Sequence, residues 1–468
     1  MPNMASGTSP DRFPLVPYPC LYIDASWKDV LSSLLYLAEP DNQRDKIESD
    51  LRHIWRSGSP TNQSHPTSHF ILPCLSVRSA FDLFLRVKKY PPGSEILMTA
   101  INIPQMLHIA QHHGLRVKPL DISIDTLAPK IELLDSLISE NTVAIVIAHV
   151  YGRWSNIDDI IDTCRSRNLS ILEDCAEVFC GFQKLGHPKA DISFFSFGAI
   201  KPSTAFGGAV ARVKDPELFS QMQELYYKYP IQSRAAYIKK ILQSVVGMVA
   251  LNTPVLMRLM LPIFHALGFD HKEAVVSILR GFSANFIDTI RQQPSTALLK
   301  MMLRRFQGFD ETEFQEGTRK CDYVSERLPQ NLEYVGMDVE TRNYWLFPII
   351  VNEPEKVLKE LNCRGVDAYR GATQLTCLDP TLADPNATDP LQFDQAMALY
   401  PDEARYLIDH VIYLPVHKRV PYSYLDKICL AVEVVMRETT SRPFPKKICI
   451  NGKTVVLENG RVKVESKL

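Results

Sequence analysis

Between residues 76 and 213 the chain alternates between two hydrophobic periods, and this alternation constrains its fold more than any other feature. Short segments are apolar almost throughout: Glu95–Thr99, Leu115–Leu120, Val143–Ala148, Ser170–Glu173, 191–197 and 208–213. Others are apolar only at helical spacing: Ser76–Lys89, Pro104–His113, Ile131–Ser139 and Ile157–Arg167. A strand with no polar face must be covered on both sides, so strands of this kind separated by helices predict an α/β fold with a mostly parallel sheet between helical layers. In such sheets ligands gather beyond the carboxyl ends of the strands.

A chain of 468 residues is expected to hold more than one domain. Residues 1–70 read as an extension with helical pieces at Trp27–Leu37 and Asp41–Trp55, ending in the polar loop Ser57–His69. Residues 71–310 form the large domain, with a helical apolar insert over 225–290. Residues 311–440 mix helices and strands as a smaller α+β domain. In the tail, 441–468, Asn451-Gly452 and Asn459-Gly460 separate β-rich runs and predict a three-stranded meander.

The formal net charge is −1, with no basic excess of the kind that binds nucleic acid. The ten cysteines are scattered without a Cys-x-x-Cys pair, which argues against a zinc site and for a reducing compartment. Met1–Pro19 lacks the basic and apolar regions of a secretory signal, so the expected setting is cytoplasmic. The run Ile241–Met257 carries no charge, and Leu259–Phe269 is apolar again. Its first part is shorter than the ~20 residues a spanning helix needs and contains Pro254. It reads as core or dimer interface, with attachment of 241–269 to a membrane surface as the second reading.

Three chemical groups follow strand ends in close succession. Asp174 closes the strand at 170–173, Ser196 closes the next, and Lys201 follows five residues later, ahead of Gly207-Gly208. An amine that can hold an aldehyde, a carboxylate for a ring nitrogen, and hydroxyl and backbone donors for a phosphate are what pyridoxal phosphate needs. Each residue also has a plainer reading: Lys201 as a surface lysine in a loop, Asp174 as a helix N-cap.

Further along, Ser76-Val77-Arg78-Ser79-Ala80, Pro92-Gly93-Ser94-Glu95, His149-Val150-Tyr151-Gly152, Glu173-Asp174-Cys175-Ala176, Phe195-Ser196-Phe197 and Leu414-Pro415-Val416-His417 join these residues in an order that resembles the DegT/DnrJ/StrS-type sugar aminotransferases, over roughly residues 72–437. The resemblance implies a fold-type I pyridoxal 5'-phosphate enzyme. It implies amino transfer, with glutamate the usual donor, to a keto sugar of a sugar nucleotide, in a homodimer with composite sites. It gives Lys201 the covalent hold on the cofactor and the proton transfer, and Asp174 the ring nitrogen. Ser79 and Ser196 become phosphate ligands, Ser79 having a plain capping role as its alternative. Related dehydratases carry His in place of the lysine, and Lys201 argues against that branch.

Four departures stand out. The family's Ser-Gly-Thr turn has become Ser76-Val77-Arg78, so Arg78 either adds charge at the phosphate or points away. Ile103 stands where an aromatic usually covers the ring. Glu177 stands where Gln or His usually donates to the phenolic oxygen, so it is protonated, turned aside, or tuning a different chemistry. Arg291 falls where a neighbouring subunit usually offers an Asn to the phosphate, or else lies on a solvated helix face. Two other functions stay open: another fold-type I reaction such as an amino-acid lyase, and a homologue without catalysis that acts as a scaffold or at a membrane surface.

Overall fold

The computed structural model describes residues 18–57, 69–253, 256, 259, 285–329, 332–339, 341–342, 345–378, 399–438, and the backbone of 447–450, 453–458 and 461–464. Seven strands form the central sheet: β1 (Phe70–Cys74), β2 (Glu95–Thr99), β3 (Arg116–Leu120), β4 (Thr142–Ala148), β5 (Ser170–Asp174), β6 (Ile192–Ser196) and β7 (Ala209–Val213), in the order β1-β7-β6-β5-β4-β2-β3. Strands β3, β2, β4, β5 and β6 are parallel; β7 is antiparallel to both β6 and β1. Strand β1 therefore runs with the parallel set, and its carboxyl end lies at the same edge of the sheet as those of β5 and β6. The alternation in the sequence predicts all of these strands except β1. Its first residues adjoin the polar stretch ending at His69, and Pro73 disguises an edge strand.

Successive residues of each strand serve opposite faces. Ile96, Met98, Ala144 and Val146 pack beneath α3 (Val77–Lys88), α4 (Pro104–His112) and α6 (Pro216–Tyr226). Leu97, Ile145, Ile147 and Ile171 pack with α5 (Asp158–Ser166) on the other face. That second face continues under α2 (Arg44–Ser57), α7 (Arg234–Asn252) and α8 (Thr296–Gln307), where Ile71, Phe195 and Val210 meet Leu51, Ile241 and Leu298. The predicted helix at 131–139 is reduced to a 3-10 turn, Ile131–Leu133, and one α turn, Leu134–Leu137, because the backbone is already extended at Ile138.

Most of the smaller core comes from residues 321–435, where Phe347–Ile350 pairs with Val411–Leu414 under Glu311–Ser325, Pro354–Cys363 and Tyr422–Glu438. The strands Lys447–Ile450, Lys453–Glu458 and Arg461–Val464 form an antiparallel meander, while the two Asn-Gly pairs lie outside the described residues. Of the apolar run at 241–269, Ile241 and Met248 are buried on α7 and Leu242 and Val246 are exposed; nearly all of 254–269 lies outside the described residues. Among the described residues no helix is long and apolar enough to cross a membrane.

The extension joins the rest of the molecule through both ends of its described part. The Cys20 amide donates to Asp367, and Ile23 exchanges two hydrogen bonds with the Asn252 side chain. Asp24 accepts from the Ser203 amide at 2.7 Å, two residues beyond Lys201. On α2, Trp55 is fully buried, with ring centroids of Phe179, Phe182, Phe195, Phe197 and Phe306 5.2–6.0 Å away. Truncating Trp55 to Ala should cost about 3–5 kcal/mol by opening a cavity among these rings. Denaturant unfolding of Trp55→Ala checks this, and a loss below about 1 kcal/mol would mean that the extension is not part of this core.

Candidate active site

A cavity of about 210 Å³ opens at the carboxyl ends of β4, β5 and β6, where the parallel topology directs it. Each strand delivers one side of it: Ala148, His149 and Val150 beyond β4, Asp174 at the end of β5, and Ser196 at the end of β6. The loop after β6 brings Lys201 to the same cavity. This loop folds back on itself through Ala205 N–H to the Phe197 carbonyl and Lys201 N–H to the Gly198 carbonyl. It closes at Gly208, whose φ of +86° suits only glycine and whose Cβ would lie 2.5 Å from Met302 Sδ.

Asp174 is buried, and its carboxylate accepts from the Ala176 amide at 3.0 Å. Burial raises its pKa to about 6, against the pull of that hydrogen bond and of Lys201; Glu177 adds to the rise. Lys201 Nζ lies 3.1 Å from Glu177 Oε1 and 3.9 Å from the centroid of the Trp345 ring. Glu177 is fixed at its other oxygen by the Tyr151 amide at 3.0 Å. Of the orientations the sequence leaves open for Glu177, the structure shows the carboxylate turned toward Lys201. Trp345 is held in turn by its indole N–H on the Ile200 carbonyl.

The opposite wall begins with α3. Ser76 is its N-cap and accepts from the Ser79 amide; Ser76, Val77 and Arg78 line the cavity. The first amides of a helix lack intrahelical partners and carry the positive end of its dipole, so this wall suits an anion. Arg78 faces the cavity, and burial lowers its pKa. Ser79 lies elsewhere: its hydroxyl sits 2.9 Å from that of Ser76, within the cap, and Ser76 takes the position on the cavity. Ile103 lines the cavity beside Asn102. Within its own chain Arg291 does not line the cavity: its guanidinium makes a two-pronged contact with Asp82 at 2.8 and 2.9 Å, on α3 away from the N-terminus.

Six of the eight residues singled out from the sequence thus line one cavity: Arg78, Ile103, Asp174, Glu177, Ser196 and Lys201. Sequence reasoning missed several others. Ser76 was legible as the N-cap of α3 by its place just before the apolar period. His149 heads one of the runs that carry the family resemblance, but Asn102, Lys240, Trp345 and Thr373–Leu375 carry no local signal for this role. The last of these reach the site because Thr376–Cys377 pairs with Ile101–Asn102, drawing the 373–377 segment to the cavity beside the end of β2.

The donor set fits pyridoxal phosphate. Lys201 and the buried Asp174 share the cavity with a helix N-terminus, and Asn102 Nδ2 is buried there without a partner. The family model for the DegT/DnrJ/EryC1/StrS aminotransferases matches residues 67–433. The chain belongs to this family. Among relatives, it is 27% identical over 182 residues to the UDP-4-amino-4-deoxy-L-arabinose--oxoglutarate aminotransferase of Shewanella sediminis, a match covering 38% of this chain and 44% of that protein. It is 33% identical over 94 residues to the GDP-4-keto-6-deoxy-D-mannose 3-dehydratase of Escherichia coli O55:H7, covering 20% and 24%. The chain thus matches less than half the length of these curated relatives. The fold is similar to that of Helicobacter pylori PseC, an aminotransferase in pseudoaminic acid biosynthesis, with a TM-score of 0.61 at 17% identity over 90% of this chain and 99% of that one.

The burial of Asp174 makes this family site costly to keep without a cationic ligand. Because its folded pKa is raised, ionising it lowers stability: nothing is lost below pH 4, and the loss grows as pH rises through about 6. Ligand-free Asp174→Asn should therefore be more stable than ligand-free wild type at pH 8, by on the order of 2–3 kcal/mol, and should lose that advantage at pH 4. Urea unfolding at both pH values measures this; a variant no more stable than wild type at pH 8 would contradict it.

Proposed function

We propose that the chain is a pyridoxal-phosphate-dependent aminotransferase that moves an amino group, with glutamate as donor, onto a keto sugar carried by a nucleotide. The observation that carries this reading is the meeting of Lys201, Asp174 and the N-terminus of α3 in one cavity. When bound, pyridoxal phosphate supplies an electron sink for the carbon that gains or loses the amino group. The residues supply the rest.

Lys201 holds the cofactor aldehyde through its amine and, when released, carries the proton between carbon atoms. Its neighbours suit that exchange. Glu177 offers a carboxylate 3.1 Å from Nζ to balance the ammonium, and the face of Trp345 covers the charge on another side. Asp174, buried with a carboxylate that resists ionisation, gains a counter-ion when the ring nitrogen is protonated beside it, and that pairing keeps the ring electron-poor. Ser76, Ser196, Arg78 and the first amides of α3 receive the phosphate. Ile103 gives the ring an apolar contact in place of an aromatic one. Arg291, tied to Asp82, serves α3 within its own chain.

Residues 71–310 act as the cofactor domain, and 311–440 contribute Trp345 and the 373–375 loop to its mouth. A homodimer is the arrangement we favour, supported by the exposed Leu242 and Val246, one turn apart on α7, which a monomer would leave in water. Contact of 241–269 with a membrane surface is the second use of these residues. None of the nine cysteines whose side chains are described forms a disulfide, which supports a reducing, cytoplasmic setting.

Borohydride reduction of the protein loaded with pyridoxal phosphate, followed by peptide mapping, tests the assignment. The label is expected on Lys201. A label on another lysine would overturn the site, and protein that takes no label would favour a scaffold without catalysis.

A further inference from the structure

Among the described residues, two cations on the cavity wall have no carboxylate partner. Arg78 stands at the start of α3, and Lys240 reaches the same cavity from α7, a helix remote in sequence and outside the sheet. Among the described residues neither side chain has a carboxylate partner or a hydrogen bond. They are close enough that the Arg78 charge, after burial, is a cause of the lowered pKa of Lys240. Bringing like charges together at the positive end of a helix is unfavourable unless an anion lies between them. A second feature also points to a ligand: Asn102, only 2% exposed and lining the cavity, has its Nδ2 buried without a partner.

The amount of charge identifies the anion. A lone carboxylate brings one negative charge, whereas a phosphate monoester carries about −1.5 to −2 at neutral pH and offers three strong acceptor oxygens. Two side-chain cations and the partial charge of a helix N-terminus, about +0.5, match the monoester. Arg291, the C-cap of the short helix Phe286–Ile290, is held by both oxygens of Asp82 in its own chain.

We propose that Lys240 of α7 is a second cation for the cofactor's 5'-phosphate, so that the phosphate is neutralised by Arg78 and Lys240 of one chain. This rests on the cofactor reading above and adds to it a residue on α7. Lys240 then acts as a clamp across the mouth. Arg78 and the α3 amides form the back of the phosphate site, while Lys240, partly exposed, closes it from outside. As a flexible point charge it can swing away to admit the cofactor, which a guanidinium fixed in a fork does less readily.

The experiment compares cofactor binding in full-length wild type, Lys240→Gln and Lys240→Arg, titrated with pyridoxal phosphate and with phosphate-free pyridoxal and read by the visible absorption band. Lys240→Gln is expected to weaken pyridoxal phosphate by about tenfold or more, the usual scale of one charge-assisted hydrogen bond, while its binding of pyridoxal is unchanged. Lys240→Arg, keeping the charge, should stay within about threefold of wild type, and added salt should weaken wild type more than Lys240→Gln. Inorganic phosphate should compete with pyridoxal phosphate less well in Lys240→Gln than in wild type. If Lys240→Gln binds pyridoxal phosphate as wild type does, or loses both ligands equally, Lys240 has no part in the phosphate site. Wild type that forms no visible band with either compound would instead overturn the cofactor reading itself, so the two failures are distinct.

Discussion

The parallel hydrogen-bond ladder that joins β4, β5 and β6 decides where chemistry can occur in this protein. It pairs Ala148 with Asp174 and Asp174 with Phe194, so the ends of three strands arrive at one edge in register. Through β7, the ladder also places β1 in the same direction, which brings the N-terminus of α3 to that edge. Slipping β5 by one residue would exchange its two faces and carry Asp174 away from the cavity. The helices, the extension and the smaller domain pack around this register and depend on it.

Charge at the site is arranged to need a ligand. One carboxylate, Asp174, is buried with too little compensation. Another, Glu177, is committed to Lys201 and to the Tyr151 amide. Two cations, Arg78 and Lys240, line the same cavity, and among the described residues neither has a carboxylate partner. A zwitterionic ligand with a protonated ring nitrogen at one end and a phosphate at the other resolves both imbalances together. This gives a physical reason why one molecule, and not merely a phosphate or a cation, fits the cavity. It also explains why the ligand-free protein keeps an acid that costs it stability, as functional sites commonly do.

Much of this was legible in the sequence. The period of the apolar residues gave away the sheet from β2 onward, because fully buried strands have no polar face to confuse the pattern. Asp174, Ser196 and Lys201 were legible because strand ends in a parallel sheet are the places where such residues count. Other parts were not. Strand β1 contains Pro73 and follows a polar stretch. Ser79 and Ser76 both look like caps, and only the backbone shows that Ser76 meets the cavity. Trp345 and Lys240 are brought in by tertiary packing, from 144 and 39 residues beyond Lys201, with no local pattern to mark them. Within its own chain Arg291 binds Asp82 on α3, a contact that its sequence context does not announce.

The central claim is that this cavity carries amino transfer and not only cofactor binding. The most direct measurement is the visible spectrum of the protein loaded with pyridoxal phosphate during a single half-reaction. Adding glutamate should abolish the visible band as the amino group passes to the cofactor, with release of one oxoglutarate per chain, and a keto sugar nucleotide should restore it. A band that persists unchanged with glutamate and with a panel of other amino donors would contradict the account.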